Sequence, residues 1–210
     1  MDNTLIASDK AHTEAYNYAL GKLGYEKKDP RVLISLFGGP KMNIAKTLLP
    51  KGKSRDWEKL LDIHNQYLIK ESCKYAKAIP GAKQALRKLK KQHSIALVSN
   101  AHHNNIKSLL KATNFDESLF DVIIGYNDVK HSKPKPDEIF TAEKLMHHKA
   151  SIMVGDSIYD IVAGKKANVK TVAVLTGNYS KKKLSEYKPD RIIKSVKELP
   201  YIIKKHRIIE

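Results

Sequence analysis

The sequence predicts an α/β fold, a parallel sheet with crossover helices and an all-helical block inserted near its start. Three observations carry this. From Pro80-Gly81 onward, short apolar runs alternate with segments of helical periodicity, which implies parallel strands joined by right-handed crossovers. Residues 11–77 show only helical spacing and turns. The stretch from Ser151 to Asp160 sets a short apolar run, broken by Gly155, directly ahead of a helix, and a strand end opening into a helix start is where an open α/β sheet binds ligands.

In chain order, Met1 to Ile6 opens with no preceding element. Ala11, Ala15, Tyr18, Ala19 and Leu23 recur at helical spacing, and Gly24 ends that helix. Val32–Phe37 leads to the turn Gly38-Gly39-Pro40. Lys41–Leu49 reads as a short helix stopped by Pro50 and Gly52. Asp56–Tyr75 reads as one long amphipathic helix with Trp57, Leu60, Leu61, His64, Tyr67 and Leu68 on one side. After Pro80, which suits a first helical turn, the expected order is helix 82–91, strand 94–98, helix 104–112, strand 122–124 and helix 136–147. Strand 152–154, helix 156–167, strand 171–175, a short strand 191–193 and helix 196–204 complete it. The expected division is therefore a body of residues 1–10 and 78–210 and a helical cap of residues 11–77.

Composition narrows the function classes. Hydrophobic residues make up 41% and charged residues 29% of the 210 residues, as in a globular protein. No run approaches the ~18 apolar residues of a membrane span, and the N-terminus lacks a secretory pattern. Cys73 is alone, which excludes an internal disulfide and a cysteine zinc site. These features point to the cytoplasm. The net charge of +17 raises a polyanion partner. However, the lysines are scattered, with Lys88, Lys90 and Lys91 in one helix, Lys181–Lys183 in a loop and Lys204 and Lys205 near the end. No aromatic residues interleave with them, so nucleic acid is not the expected partner. A monomer or a homodimer is expected.

Four signatures fall on strand ends. Asp2-Asn3-Thr4-Leu5 stands at the front. Val98-Ser99-Asn100 ends a strand with a hydroxyl and an amide. Lys133-Pro134-Lys135-Pro136-Asp137 precedes a helix. Gly155-Asp156-Ser157, followed by Asp160, places two carboxylates on one side of a helix start, a hard-oxygen set suited to Mg²⁺. Each has an ordinary reading too: an N-cap and an acidic first turn for Asp156 and Asp160, a strand-end turn for Ser99-Asn100, a surface lysine for Lys133 and a cap for Thr4.

Together, in this order, the four resemble the haloacid dehalogenase-like hydrolase superfamily over essentially the whole chain, and within it the phosphoglycolate phosphatase type with a helical cap. The resemblance implies a Rossmann-like core and Mg²⁺-dependent phosphoryl transfer through an aspartyl-phosphate. It implies Asp156 as a metal ligand and Asp160 as its support, directly or through water. Ser99 would hydrogen-bond the phosphoryl oxygens, with Thr4 and Asn100 nearby in the substrate site, and Lys133 would balance the carboxylates. Asp2 would act as general acid and base and offer its carbonyl to the metal. The implied substrate is a small phosphorylated metabolite; phosphoglycolate, sugar phosphates, nucleotides and pyrophosphate all remain open.

Asp2 carries a further expectation. The family motif is Asp-x-Asp-x-Thr, and Met1-Asp2-Asn3-Thr4 matches only its last four positions. The nucleophilic aspartate would stand one residue before Met1, on a strand in mid-sheet between the one ending at Ser99 and the one ending at Asp156. A missing central strand leaves two neighbours with unpaired backbone groups. At about 1 kcal/mol per hydrogen bond plus several buried side chains, the loss rivals the ~5–15 kcal/mol stability of a domain. A start assigned to an internal Met, with roughly ten residues upstream including a Val/Ile-rich strand, is the expectation. The chain as it stands is expected to turn over little or nothing.

Asp2 favours phosphate esters over carbon–halogen bonds. The alternatives are a phosphomutase of the same fold and a non-catalytic relative that binds a phosphorylated ligand or a protein. Gly38-Gly39-Pro40-Lys41 falls where capped relatives place a loop over the site; Lys41 meets an anionic substrate group or stands as an exposed residue after a turn. His12 and His64 read as ordinary helix residues, and Tyr16, Tyr18, Trp57 and Tyr159 as packing.

Overall fold

The computed structural model describes residues 1–206. Its parallel strands fall into two groups. Strand β3 (Ala96–Ser99) pairs with β4 (Val122–Gly125), and β5 (Ile152–Gly155) pairs with β6 (Lys170–Val174), which pairs with β7 (Arg191–Ile193). Every pairing among these five is parallel, as the alternation with helices requires. Helix α5 (Ala82–Lys90) leads into β3, and α6 (His103–Ala112), α7 (Asp137–Met146) and α8 (Ile158–Lys166) form the crossovers from β3 to β6. The short α9 (Lys181–Glu186) and α10 (Leu199–His206) follow on either side of β7.

The two half-sheets are not joined to each other. A cavity of about 440 Å³ is lined by Ala96, Leu97 and Val98 of β3 and by Ile152, Met153 and Val154 of β5. Successive residues from both strands face it, so it runs along two strand edges that carry no ladder partner. Met1 stands on its wall, and α5 and α7 also contribute side chains. A largely apolar slot thus separates β3 from β5.

The helical block comprises α1 (Asp9–Lys22), α2 (Pro30–Ser35), α3 (Lys41–Leu48) and α4 (Trp57–Lys70). Its own core holds Tyr16, Leu20, Leu33, Ile44, Leu48 and Leu60. Ala11, Ala15 and Leu68 instead join the larger core beneath the sheet, so α1 and α4 connect the two. Gly24, at φ +75°, ends the turn after α1 in a conformation that favours glycine.

Several boundaries differ from the sequence reading. Residues 30–35 form a helix because Asp29 caps it, accepting from Arg31 N at 2.7 Å, and Pro30 occupies its first position. The long helix stops at Lys70, and Ser72–Tyr75 tightens to a 3-10 turn as Ser72 Oγ donates to Ala11 O at 2.8 Å. Lys77 belongs to a strand: β2 (Lys77–Ala78) pairs antiparallel with β1 (Ile6–Ala7) where the chain leaves and re-enters the body. The Lys181–Lys183 run is helical, not a loop, capped by Ser180 and anchored by buried Leu184. No helix among the described residues is long and apolar enough to cross a membrane.

Candidate active site

The site forms where the C-terminal ends of β3 and β5 meet the first residues of the chain. Met1–Leu5 folds into a tight loop in which Thr4 N donates to Asp2 O at 2.7 Å, and Asn3 adopts φ +49°, which asparagine tolerates. That loop turns Asp2 toward Ser99 and Thr4 toward Asp156. Ser99 Oγ lies 3.4 Å from Asp2 Oδ2, and Thr4 Oγ1 donates to Asp156 Oδ1 at 2.9 Å. Asp2 Oδ1 also accepts from Ser8 Oγ at 2.5 Å and faces His12 Nε2 at 3.2 Å.

Lys133 is buried, yet its ammonium is fully engaged. It donates to Val98 O at 3.1 Å, lies 3.0 Å from Asp160 Oδ1 and sits 3.6 Å from Glu138 Oε2. Asp160 completes a capping box at the start of α8: its Oδ2 accepts from Ser157 N and Oγ at 3.1 and 2.7 Å. Gly155 is required here, because a Cβ at that position would lie 2.2 Å from the Asp160 carboxyl. Asn100 Nδ2 donates to Lys133 O at 3.0 Å and to Gly38 O at 3.1 Å, tying β3 to the loop ahead of α3.

These groups converge on a cavity of about 50 Å³ that Asp2, Ser99, Asn100, Lys133, Asp156 and Asp160 all line. Gly38, Gly39 and Lys41 approach it from the helical block, and Asn178 and Tyr179 from the body. All eight residues singled out in the sequence therefore meet at one place, Thr4 through its bond to Asp156. Lys41 borders the site and is not the exposed residue that a Gly-Pro turn alone suggests.

The electrostatics are uneven. Burial opposes ionisation of Asp2, but the His12 contact, the chain's amino terminus and Lys41 outweigh it and hold the carboxyl well below its usual range. Burial likewise acts on Asp160, and there Lys133, the amino terminus and Ser157 prevail and lower it. Asp156 goes the other way: burial and the neighbouring Asp160 charge push it up. Lys133 is raised despite burial, by Asp160 and Glu138. His12 and His64 are both lowered, by burial above all, and Lys41 adds to this in each case.

Among the described residues, no three acidic, histidine or cysteine groups close into a ready chelating cluster. Asp160 in particular spends both oxygens on Ser157 and Lys133.

The sequence reading passed over several participants. Ser8 and His12 both reach Asp2, and His64, taken as an ordinary helix residue, stacks beside His12. Glu138, fully buried with neither carboxyl oxygen hydrogen-bonded, lies under Lys133. A second carboxylate directly after Asp137 in the Lys-Pro-x-Pro-Asp stretch was the one available signal for it.

Comparison with known proteins places this geometry. The family model of haloacid dehalogenase-like hydrolases matches residues 1–174. A protein named for pyrophosphatase PpaX from Caldanaerobacter subterraneus subsp. tengcongensis is 32% identical over 208 residues, covering 97% of this chain and 92% of its own length. Pyrophosphatase PpaX of Oceanobacillus iheyensis is 28% identical over 205 residues, covering 96% of this chain and 90% of its own. A solved haloacid dehalogenase-like hydrolase structure from Bacteroides fragilis superposes with a TM-score of 0.86 at 23% identity, over 95% of this chain and 96% of that one. A phosphatase-named structure from Clostridium acetobutylicum gives 0.85 at 24% identity, over 98% and 95%.

Proposed function

The chain belongs to the haloacid dehalogenase-like hydrolase family, and on that basis we propose that it is a Mg²⁺-dependent phosphatase of a small phosphorylated metabolite, its nucleophilic aspartate standing one residue ahead of Met1 on a strand that fills the slot between β3 and β5. The observation that carries this reading is the convergence of Asp2, Ser99, Lys133 and Asp156, from four separate stretches, on one small cleft.

Each group has a role. Asp2, fixed by Ser8 and His12 and ionised in the free site, accepts a proton from the substrate's own phosphate or from the attacking water and passes it to the leaving oxygen. The Ser99 hydroxyl donates to a phosphoryl oxygen. Lys133 balances the negative charge gathered as the phosphoryl group transfers. Asp160 acts through its grip on Lys133 and Ser157, and Asn100 holds the Gly38 loop against the body. The residues fit a divalent cation: Asp156 is a half-buried carboxyl lifted above its ordinary range by desolvation and by the neighbouring Asp160 charge, and a cation there would relieve both. Asp156 and the Asp2 carbonyl would hold Mg²⁺, which when bound supplies charge neutralisation to the phosphoryl oxygens.

Residues 11–77 act as a cap that excludes water and selects substrate, with Lys41 meeting a second anionic group. A cleft of about 50 Å³ suits a compact anion. Together with the pyrophosphatase names of the relatives, this puts pyrophosphate first among the candidates, ahead of phosphoglycolate, sugar phosphates and nucleotides. A soluble, cytoplasmic setting accords with such metabolites.

The test is a phosphate-release screen over those compounds, using the chain extended upstream by an apolar strand ending in aspartate. Turnover with Mg²⁺ that disappears with EDTA is expected. Turnover that survives Asp156→Ala would refute the metal assignment.

A further inference from the structure

His12 on α1 and His64 on α4 form a buried chain of hydrogen-bonding atoms that starts at Asp2. His12 Nε2 faces Asp2 Oδ1 at 3.2 Å, and His12 Nδ1 meets His64 Nε2 at 3.1 Å. The two rings are nearly parallel, with 6° between their planes. On the far side, His64 Nδ1 lies 3.1 Å from Asn65 Oδ1, which also accepts from Asn105 Nδ2 at 2.7 Å. His12 is 3% exposed, and His64 and Asn105 are 0% exposed. Tyr16 covers His64, and Phe37 meets His12 edge-on, so the rings bond to each other and to Asp2 and Asn65.

The hydrogen count constrains this chain. A neutral imidazole carries one hydrogen, on one nitrogen. A single hydrogen must lie between the two rings. Neutral rings therefore carry theirs on the same nitrogen: both on Nε2, pointing the chain toward Asp2, or both on Nδ1, pointing it toward Asn65. An ionised carboxylate only accepts, and its charge-assisted bond is the stronger one. Asp2 as a carboxylate thus selects the first polarity. Asn65 must then offer its amide NH₂ to His64, and Asn105 must turn with it so that its Oδ1, buried without a partner here, accepts from Asn65. A hydrogen donor at position 2 selects the second polarity, in which Asn65 Oδ1 faces His64 as it does here.

We propose that His12, His64 and Asn65 act as one positioning relay on Asp2, whose hydrogen polarity follows the side chain at position 2 and ends on the rotatable Asn65 amide of the helical block. The relay ties the Asp2 carboxyl to α1 and α4, elements outside the α/β body. Its importance for turnover rests on the reading of Asp2 as the acid and base, but its existence does not.

The test is ¹⁵N nuclear magnetic resonance on histidine-labelled protein, the chain as it stands, comparing wild type with Asp2→Asn. The amide that replaces the carboxyl is isosteric and offers a donor. At neutral pH the wild-type rings should both be Nε2–H, and in Asp2→Asn both should become Nδ1–H, including His64, which does not touch residue 2. In a His12→Phe background the Asp2→Asn exchange should leave His64 unchanged. Packing alone predicts no change of His64 tautomer in either background. A His64 tautomer that ignores residue 2, or that responds equally without His12, would overturn the relay. A chain without turnover still shows the exchange, so this inference and the phosphatase reading fail separately.

Discussion

Two cavities lie end to end in this molecule, and they are built on opposite principles. The slot between β3 and β5 is about 440 Å³, largely apolar, and bordered by strand edges with no ladder partner. The cleft at its C-terminal end is about 50 Å³, and nearly every polar side chain around it is committed to a hydrogen bond or ion pair. The difference teaches that the polar site is assembled by strand ends, helix caps and the Met1–Leu5 loop, whereas the slot is lined by apolar side chains of β3, β5, α5 and α7. In the cleft Lys133, Asp160 and Ser157 position one another, and Thr4, which also lines the slot, holds Asp156.

The largest expected effect concerns the slot. Adding an apolar, β-branched strand ahead of Met1 should pair both edges and bury several side chains. Set against the cost of ordering, the gain is about 5 kcal/mol, or roughly 10–20 °C in the thermal midpoint. Calorimetry on the two chains measures it; an unchanged midpoint would mean the slot is no strand site. An extension of the same length rich in Gly and Ser should give no such rise.

The cleft should respond next. Lys133→Met leaves Glu138 and Asp160 facing each other without a counter-charge, at a cost of about 3–5 kcal/mol by denaturant titration. A loss under 1 kcal/mol would show that the two carboxyls do not depend on this ammonium.

Asp156 gives an effect of the opposite sign. Its folded-state value of about 7 lies above the ordinary 3.8, so the folded chain holds the proton more tightly than the unfolded one. Its contribution to stability therefore falls as pH rises from about 4 to 7 and stays low above that. Asp156→Asn should be the more stable protein at pH 8, by a few kcal/mol, and equal to wild type near pH 4. Mg²⁺ should narrow the gap at pH 8. A gap independent of pH would rule out the buried charge as its cause.

The smallest effect is at Thr4. Thr4→Val removes one donor to Asp156 and should cost about 1 kcal/mol.

Much of this was legible in the sequence, and the rest was not for physical reasons. Strand ends are local: an apolar run, a break and a polar pair announced Ser99-Asn100 and Gly155-Asp156 without any tertiary knowledge. The pairing of His12 with His64 was not legible, since the two lie 52 residues apart on different helices and nothing in helical periodicity relates one helix face to another. Glu138 was hidden because burial of a carboxylate depends on a lysine that itself looks like surface. The helix at Lys181–Glu186 was missed because three lysines suggest solvent, while one buried residue, Leu184, is enough to anchor a capped turn.

The account turns on whether the cleft becomes catalytic once the slot is filled. The direct measurement is Mg²⁺-dependent phosphate release from pyrophosphate and p-nitrophenyl phosphate by two extended chains, identical except that the residue before Met1 is aspartate in one and asparagine in the other. The account predicts equal thermal midpoints and turnover only with aspartate. Equal turnover from both, or none from either at equal and raised midpoints, would contradict it.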